Sequence, residues 1–152
     1  MNIDSAVLES LTSAPDRLEK VVLELEKTGK LNHPREAGKW TPMQILAHLA
    51  DVESLFMVRF YQHLLSDKPN LMMLAQDQLV QVTQAPARDI RLALNSFRAQ
   101  RLRNLEFVKS LMPEELKRLS LHPIRGDRTL GEWIGILAWH DGNHIKQLEA
   151  SL

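Results

Sequence analysis

A chain of 152 residues is long enough to bury a sizeable core and short enough to be read as one domain over residues 1–152. Its 19 basic and 19 acidic residues cancel and alternate along the chain, which speaks against a nucleic-acid or anionic-membrane partner. The lack of cysteine removes disulfides, thiolate ligands and a thiol nucleophile, so any thiol chemistry needs an external thiol.

The N-terminal residues carry acids among their apolar positions. No segment approaches the roughly 18 uninterrupted apolar residues of a membrane span, and a soluble, cytoplasmic protein is expected. From Asp4 to Lys27 the residues Val7, Leu8, Leu11, Leu18, Val21, Val22 and Leu25 recur at threes and fours, the period of an amphipathic helix. Pro15 interrupts it, and either a kink or a short helix followed by a longer one is expected. Gly29 is the stop, and residues 30–39 read as a loop in which His33 is solvated.

Trp40 to Gln44 is a helix start: Thr41 caps, Pro42 takes the first helical position, and Gln44 completes a Thr-x-x-Gln capping box. In the helix that follows, to about Leu65, Ile45, His48, Val52, Leu55, Phe56 and Arg59 share one face, with Gln44 and Asp51 at its edge. Taken alone, a histidine there is a hydrogen-bonded core residue. The opposite side is also apolar around Glu53, as expected of a helix covered on both sides or placed in a subunit interface. Arg59 requires an acidic partner if buried, and His63, about 22 Å along the axis from His48, cannot share a ligand with it.

Residues 66–87 form a connection. Its Leu71, Met72, Met73 and Leu74 fill core or line a pocket, core being the plainer reading. A third long helix then runs to about Leu111 with Ile90, Leu94, Phe97, Leu105 and Val108 on one stripe. Arg101 lies inside that stripe and either pairs with a buried acid or meets an anionic ligand. Residues 114–128 hold a helical turn and an irregular stretch with a solvated His122. Thr129 and Glu132 make a second capping box at the head of the last helix.

On that helix Trp133, Ile136, Leu137, His140, His144, Gln147 and Leu148 fall on one face, so two imidazoles one turn apart interrupt a core stripe. Buried imidazoles need bonded nitrogens, which shared partners or a metal would supply. His48 adds a third inward histidine, and three imidazoles leaving one coordination position open is the pattern of a catalytic metal site. Asp51 and Gln44 are candidates for orienting a ligand or moving a proton, whereas Asp141 points away from His140 and is expected to be exposed.

The blocks W-T-P-x-x-I-L-x-H-L-x-D-x-E (Trp40 to Glu53) and T-L-G-E-W-I-x₅-H-D-x-x-H-x-x-Q (Thr129 to Gln147) resemble the DinB-like superfamily, and the likeness extends over nearly the whole chain. The resemblance implies a four-helix bundle of up-down-down-up connectivity, commonly dimeric, with zinc or nickel held by His48, His140 and His144. It also implies metal-dependent chemistry on a small molecule, either hydrolysis or transfer of a low-molecular-weight thiol. Arg59 and Arg101 are the candidates for contacting a cofactor or anionic ligand. A homodimer is expected from the second apolar face of the Trp40-led helix and from Gly135, Ala138 and Gly142 beside Trp139. The alternative is a bundle that binds a metal or ligand without catalysis.

Overall fold

A computed structural model describes residues 2–152. Asp4 opens helix α1 (Ser5–Lys27) by accepting from the Ala6 amide, and Pro15 lies inside a single uninterrupted helix rather than dividing it. Proline has no amide hydrogen, so the Leu11 carbonyl loses its usual partner. Arg101 Nη1 donates to that carbonyl at 3.1 Å, which is why the helix passes through the proline without a break.

Helix α2 (Pro42–Leu65) begins with the expected capping box, the Gln44 amide donating to Thr41 Oγ1 and the Thr41 amide to Gln44 Oε1. At its other end Arg118 donates to the carbonyls of His63 and Ser66, satisfying acceptors that the last turn leaves free. A short helix α3 (Gln76–Val82) and a 3₁₀ turn at 85–87 follow, and Arg88 fastens this connection to α2 through a two-pronged contact with Asp51, at 2.8 and 3.0 Å. Asp89 caps helix α4 (Ile90–Ser110).

The stretch expected to be irregular contains a hairpin, β1 (Leu119–His122) against β2 (Gly126–Thr129), whose three-residue loop ends on Gly126 at φ +65°. That left-handed conformation suits glycine and closes the loop. The Leu71 amide donates to the Leu121 carbonyl and the Leu121 amide to the Pro69 carbonyl, which ties the hairpin to the segment after α2. Helix α5 (Leu130–Glu149) starts on the Thr129 capping box, so β2 leads directly into it.

The order around the bundle is α1, α4, α2, α5. Arg98 reaches Glu19 and Arg91 reaches Glu26, so α4 runs opposite to α1. Gln100 bonds the Ala50 carbonyl and Asn104 the Glu53 carbonyl, so α4 runs with α2. Phe56 meets Trp133 and His48 meets His144, so α5 opposes α2. The connectivity is therefore up-down-down-up. No helix among the described residues is long and apolar enough to cross a membrane.

The core has two large apolar parts, one around Leu18, Leu25, Leu46, Phe97 and Ile145, the other around Leu11, Phe56, Phe60, Val108 and Trp133, and a small third one where Val80 and Ala85 meet Ala47. Between the two large parts, on α2, α4 and α5, lie the buried Arg101, Glu53, Asp141, Asn104 and His48. The second apolar side of α2 packs on α4 within the chain and Glu53 is wholly internal, so that face offers no surface to a partner. Leu71 is core, whereas Met72 and Met73 are 63% and 51% exposed, contrary to the core-filling reading.

Candidate metal centre

The capped starts of α2 and α5 fix where His48, His140 and His144 fall, and the antiparallel pairing of these helices brings the three rings together. Each ring offers one nitrogen to a group whose members all lie within 4.8 Å of one another. His48 Nε2 and His140 Nε2 are 3.0 Å apart. His144 Nδ1 is engaged by Gln147 Oε1 at 2.8 Å, which leaves its Nε2 as the free donor. Burial first, and then the neighbouring His140, lower the pKa of His48 to about 3 and that of His144 to about 4. Both are neutral at pH 7 and present lone pairs rather than charges.

Sequence reasoning placed Asp141 in solvent, but it is 1% exposed. A second apolar stripe, Ile134, Ala138, Ile145 and Leu148, lies beside the histidine stripe on α5, and Asp141 falls on it. Its Oδ2 takes a bond from Arg101, and its Oδ1 stands 3.5 Å from His140 Nδ1. Asp141 Oδ1, His140 Nδ1 and His48 Nδ1 are all buried without a hydrogen-bond partner. Arg101 is wholly buried and donates to Glu53, Asp141 and the Leu11 carbonyl, so it is the internally paired cation and does not reach a ligand. Burial works against its charge, but the two carboxylates more than offset this and raise its pKa.

Asp51 is held by Arg88, and Gln44 Oε1 accepts from the Thr41 amide in the α2 cap. Trp40, just ahead of the α2 cap, packs edge-to-face with His48 at 4.9 Å and stacks on His144 at 6.2 Å. Trp40 Nε1 donates to Asp77, which fastens α3 beside the same site. His122 is buried rather than solvated: it accepts from the amides of Ile124 and Arg125 and its ring lies 5.3 Å from Trp133. His33 is exposed as expected, and His63 bonds the Arg59 carbonyl away from the cluster.

Two clefts flank the three rings. One, of about 460 Å³, reaches His144 past Trp40 and Gln147. The other, of about 620 Å³, reaches His140 past Phe56, Arg59 and Trp133. Both are of a size that holds small molecules.

A four-helix bundle with an inward cluster of three imidazoles opening onto clefts is the class that fold and site define. The chain belongs to the DinB superfamily, whose family model matches residues 10–148. It is 23% identical over 141 residues to an Oceanobacillus iheyensis protein named "Putative metal-dependent hydrolase OB0782", covering 93% of this chain and 81% of that one. A Bacillus cereus protein of the same descriptive name is 25% identical over 141 residues, with 93% and 80% covered. Among solved structures, YfiT from Bacillus subtilis, described as "a probable metal-dependent hydrolase with an unusual four-helix bundle topology", superposes with a TM-score of 0.89 at 23% identity, over 96% of this chain and 83% of that one. The four-helix bundle protein TT2238 superposes with a TM-score of 0.60 at 22% identity, over 94% and 98%.

Proposed function

We propose that this protein is a metal-dependent enzyme acting on a small molecule, with His48, His140 and His144 holding one divalent cation, zinc or nickel. The carrying observation is that ring nitrogens of three histidines, carried on two helices, converge within 4.8 Å of one another. Zinc–imidazole bonds of ~2 Å place nitrogens sharing one ion ~3–4 Å apart, which the His48 to His140 separation of 3.0 Å approaches. A cation held this way lowers the pKa of a bound water or thiol and polarises a carbonyl.

The chain's own residues do the positioning. Gln147 accepts from His144 Nδ1–H and so fixes the tautomer that turns Nε2 inward. Asp141 Oδ1 faces His140 Nδ1, and a tilt that closes their 3.5 Å separation gives His140 the same inward Nε2. Because Arg101 anchors the other oxygen of Asp141, the orientation of His140 is tied to the buried layer between the two large parts of the core. Trp40 walls the His144 side and Phe56, 6.5 Å from the His140 ring, the other, which restricts water around the imidazoles.

Hydrolysis and transfer of a low-molecular-weight thiol both fit this donor set, and the absence of cysteine requires the thiol to come from outside. The deciding experiment is a turnover screen of metal-replete protein against small esters, amides and electrophiles, with and without added thiols. Turnover that is lost in His140→Ala supports the proposal, and its dependence on thiol separates the two reactions. Stabilisation by ligands with no turnover under any condition would favour a binding protein.

A further inference from the structure

The chain buries two long arginines and treats them in opposite ways. Arg101 is surrounded by carboxylates, whereas Arg59, on the α2 face that carries His48, is 7% exposed and has no acidic partner. Its Nη2 donates to the Met72 carbonyl at 3.0 Å, its Nε has no partner, and its guanidinium lies 4.8 Å from the Trp133 ring and 5.5 Å from that of Phe56. A desolvated cation without a counter-charge is costly unless something supplies one.

The larger cleft is where that charge is exposed. Arg125 and Arg128 of the hairpin line it with Arg59 and His122, and no acid does. Asp127, which lies between the two hairpin arginines in sequence, turns to Lys68 at 2.7 Å instead. We propose that this cleft is a subsite for an anionic group, carboxylate or phosphate, on the molecule whose reacting end lies at the three imidazoles; the second half of that statement rests on the metal-centre reading. Burial, with Arg125 nearby, lowers the Arg59 pKa to about 10, as expected of an unpaired cation that an anion would relieve.

The geometry also limits the ligand's length. Phe56 is within 5.5 Å of the guanidinium and 6.5 Å of the His140 ring, so the two ends are no more than about 12 Å apart. Between them stand Val52, Leu55, Ile136 and Trp139. The subsite therefore selects molecules with an anion at one end, a reactive centre no more than about 12 Å away and an apolar or neutral body between, and it discriminates against cations by like-charge repulsion.

The test is titration of inorganic phosphate and, separately, acetate and succinate into protein of measured metal content. Ionic strength is held constant, and binding is read by heat and by the Arg59 Nε–H resonance. Saturable binding is expected, weakened about tenfold or more in Arg59→Met and less in Arg125→Gln, with metal content unchanged in both; the tighter anion identifies the source. Loss of binding in Arg59→Met that persists in chelator-treated protein upholds the subsite even if the metal reading fails. Metal uptake without any Arg59-dependent anion binding overturns the subsite and leaves the metal reading intact. Anion binding that needs the metal and ignores Arg59 places the anion on the ion and likewise overturns it. Should Arg59→Met fail to fold, Arg59→Lys and Arg125→Gln carry the test, and unchanged binding in both rejects the proposal.

Discussion

Replacing Arg101 by Met tests the buried layer that joins the fold to the site. The guanidinium donates to Glu53 and Asp141 and spans to the Leu11 carbonyl that Pro15 leaves without a helical donor. Removing one partner of a buried ion pair costs about 3–5 kcal/mol, because the remaining charge is stranded. The orphaned carbonyl adds ~1 kcal/mol. A loss of about 4–6 kcal/mol corresponds, for a chain of this size, to a fall in Tm of roughly 8–24 °C. Urea and thermal melts of metal-free protein measure it. Combining Arg101→Met with Glu53→Gln and Asp141→Asn is expected to recover at least about half of the loss, since no buried charge then lacks a partner. A single-variant cost under about 1 kcal/mol, or a triple variant whose losses simply add, would refute the reasoning. Arg101→Lys, which keeps the charge but not the fork, is expected to fall between wild type and Met.

Acid should destabilise the metal-free protein. His48 is held at a pKa of about 3 in the folded state, by burial and then by its neighbours, against an ordinary value of 6.5. The unfolded chain therefore takes up a proton below pH 6.5 that the folded chain refuses. The stability this group contributes is fully present above pH 6.5 and declines as pH falls toward 3, by about 2 kcal/mol at pH 5. His144 and the buried His63 shift the same way. Melting between pH 7.5 and 5 reads the effect, and a flat profile would contradict the burial of neutral imidazoles. Thr41→Ala and Thr129→Ala remove the cap hydroxyls of the two capping boxes and are each expected to lose about 1 kcal/mol in urea melts; no loss in either would mean the boxes do not fix the helix starts.

The long helices, both capping boxes and the inward placement of His48, His140 and His144 were legible because they follow from period and cap chemistry, which are local. Asp141 was not, since projecting α5 onto one inner face hides that a helix wedged between α1 and α2 buries two stripes. Pro15 read as a kink or a division of the helix because its remedy, Arg101, comes from another helix 86 positions later in the chain. The hairpin hid behind Pro123 and Gly126, and its strands depend on pairing with each other and with the segment near Asn70. His122 looked solvated for the same reason: the loop that caps it and Trp133 beneath it are distant or nonperiodic in sequence. Asp51 and Gln44 illustrate the converse, residues at the right edge of the right face whose groups are spent on Arg88 and on a cap.

Metal stoichiometry in protein purified without an affinity tag tests the central claim most directly. Emission spectroscopy on wild type and on His48→Ala, His140→Ala and His144→Ala is the measurement. About one divalent ion per wild-type chain is predicted, with uptake abolished or greatly weakened in each variant while helical content is retained. A wild-type chain that takes up no stoichiometric ion, or variants that bind as the wild type does, would contradict the account.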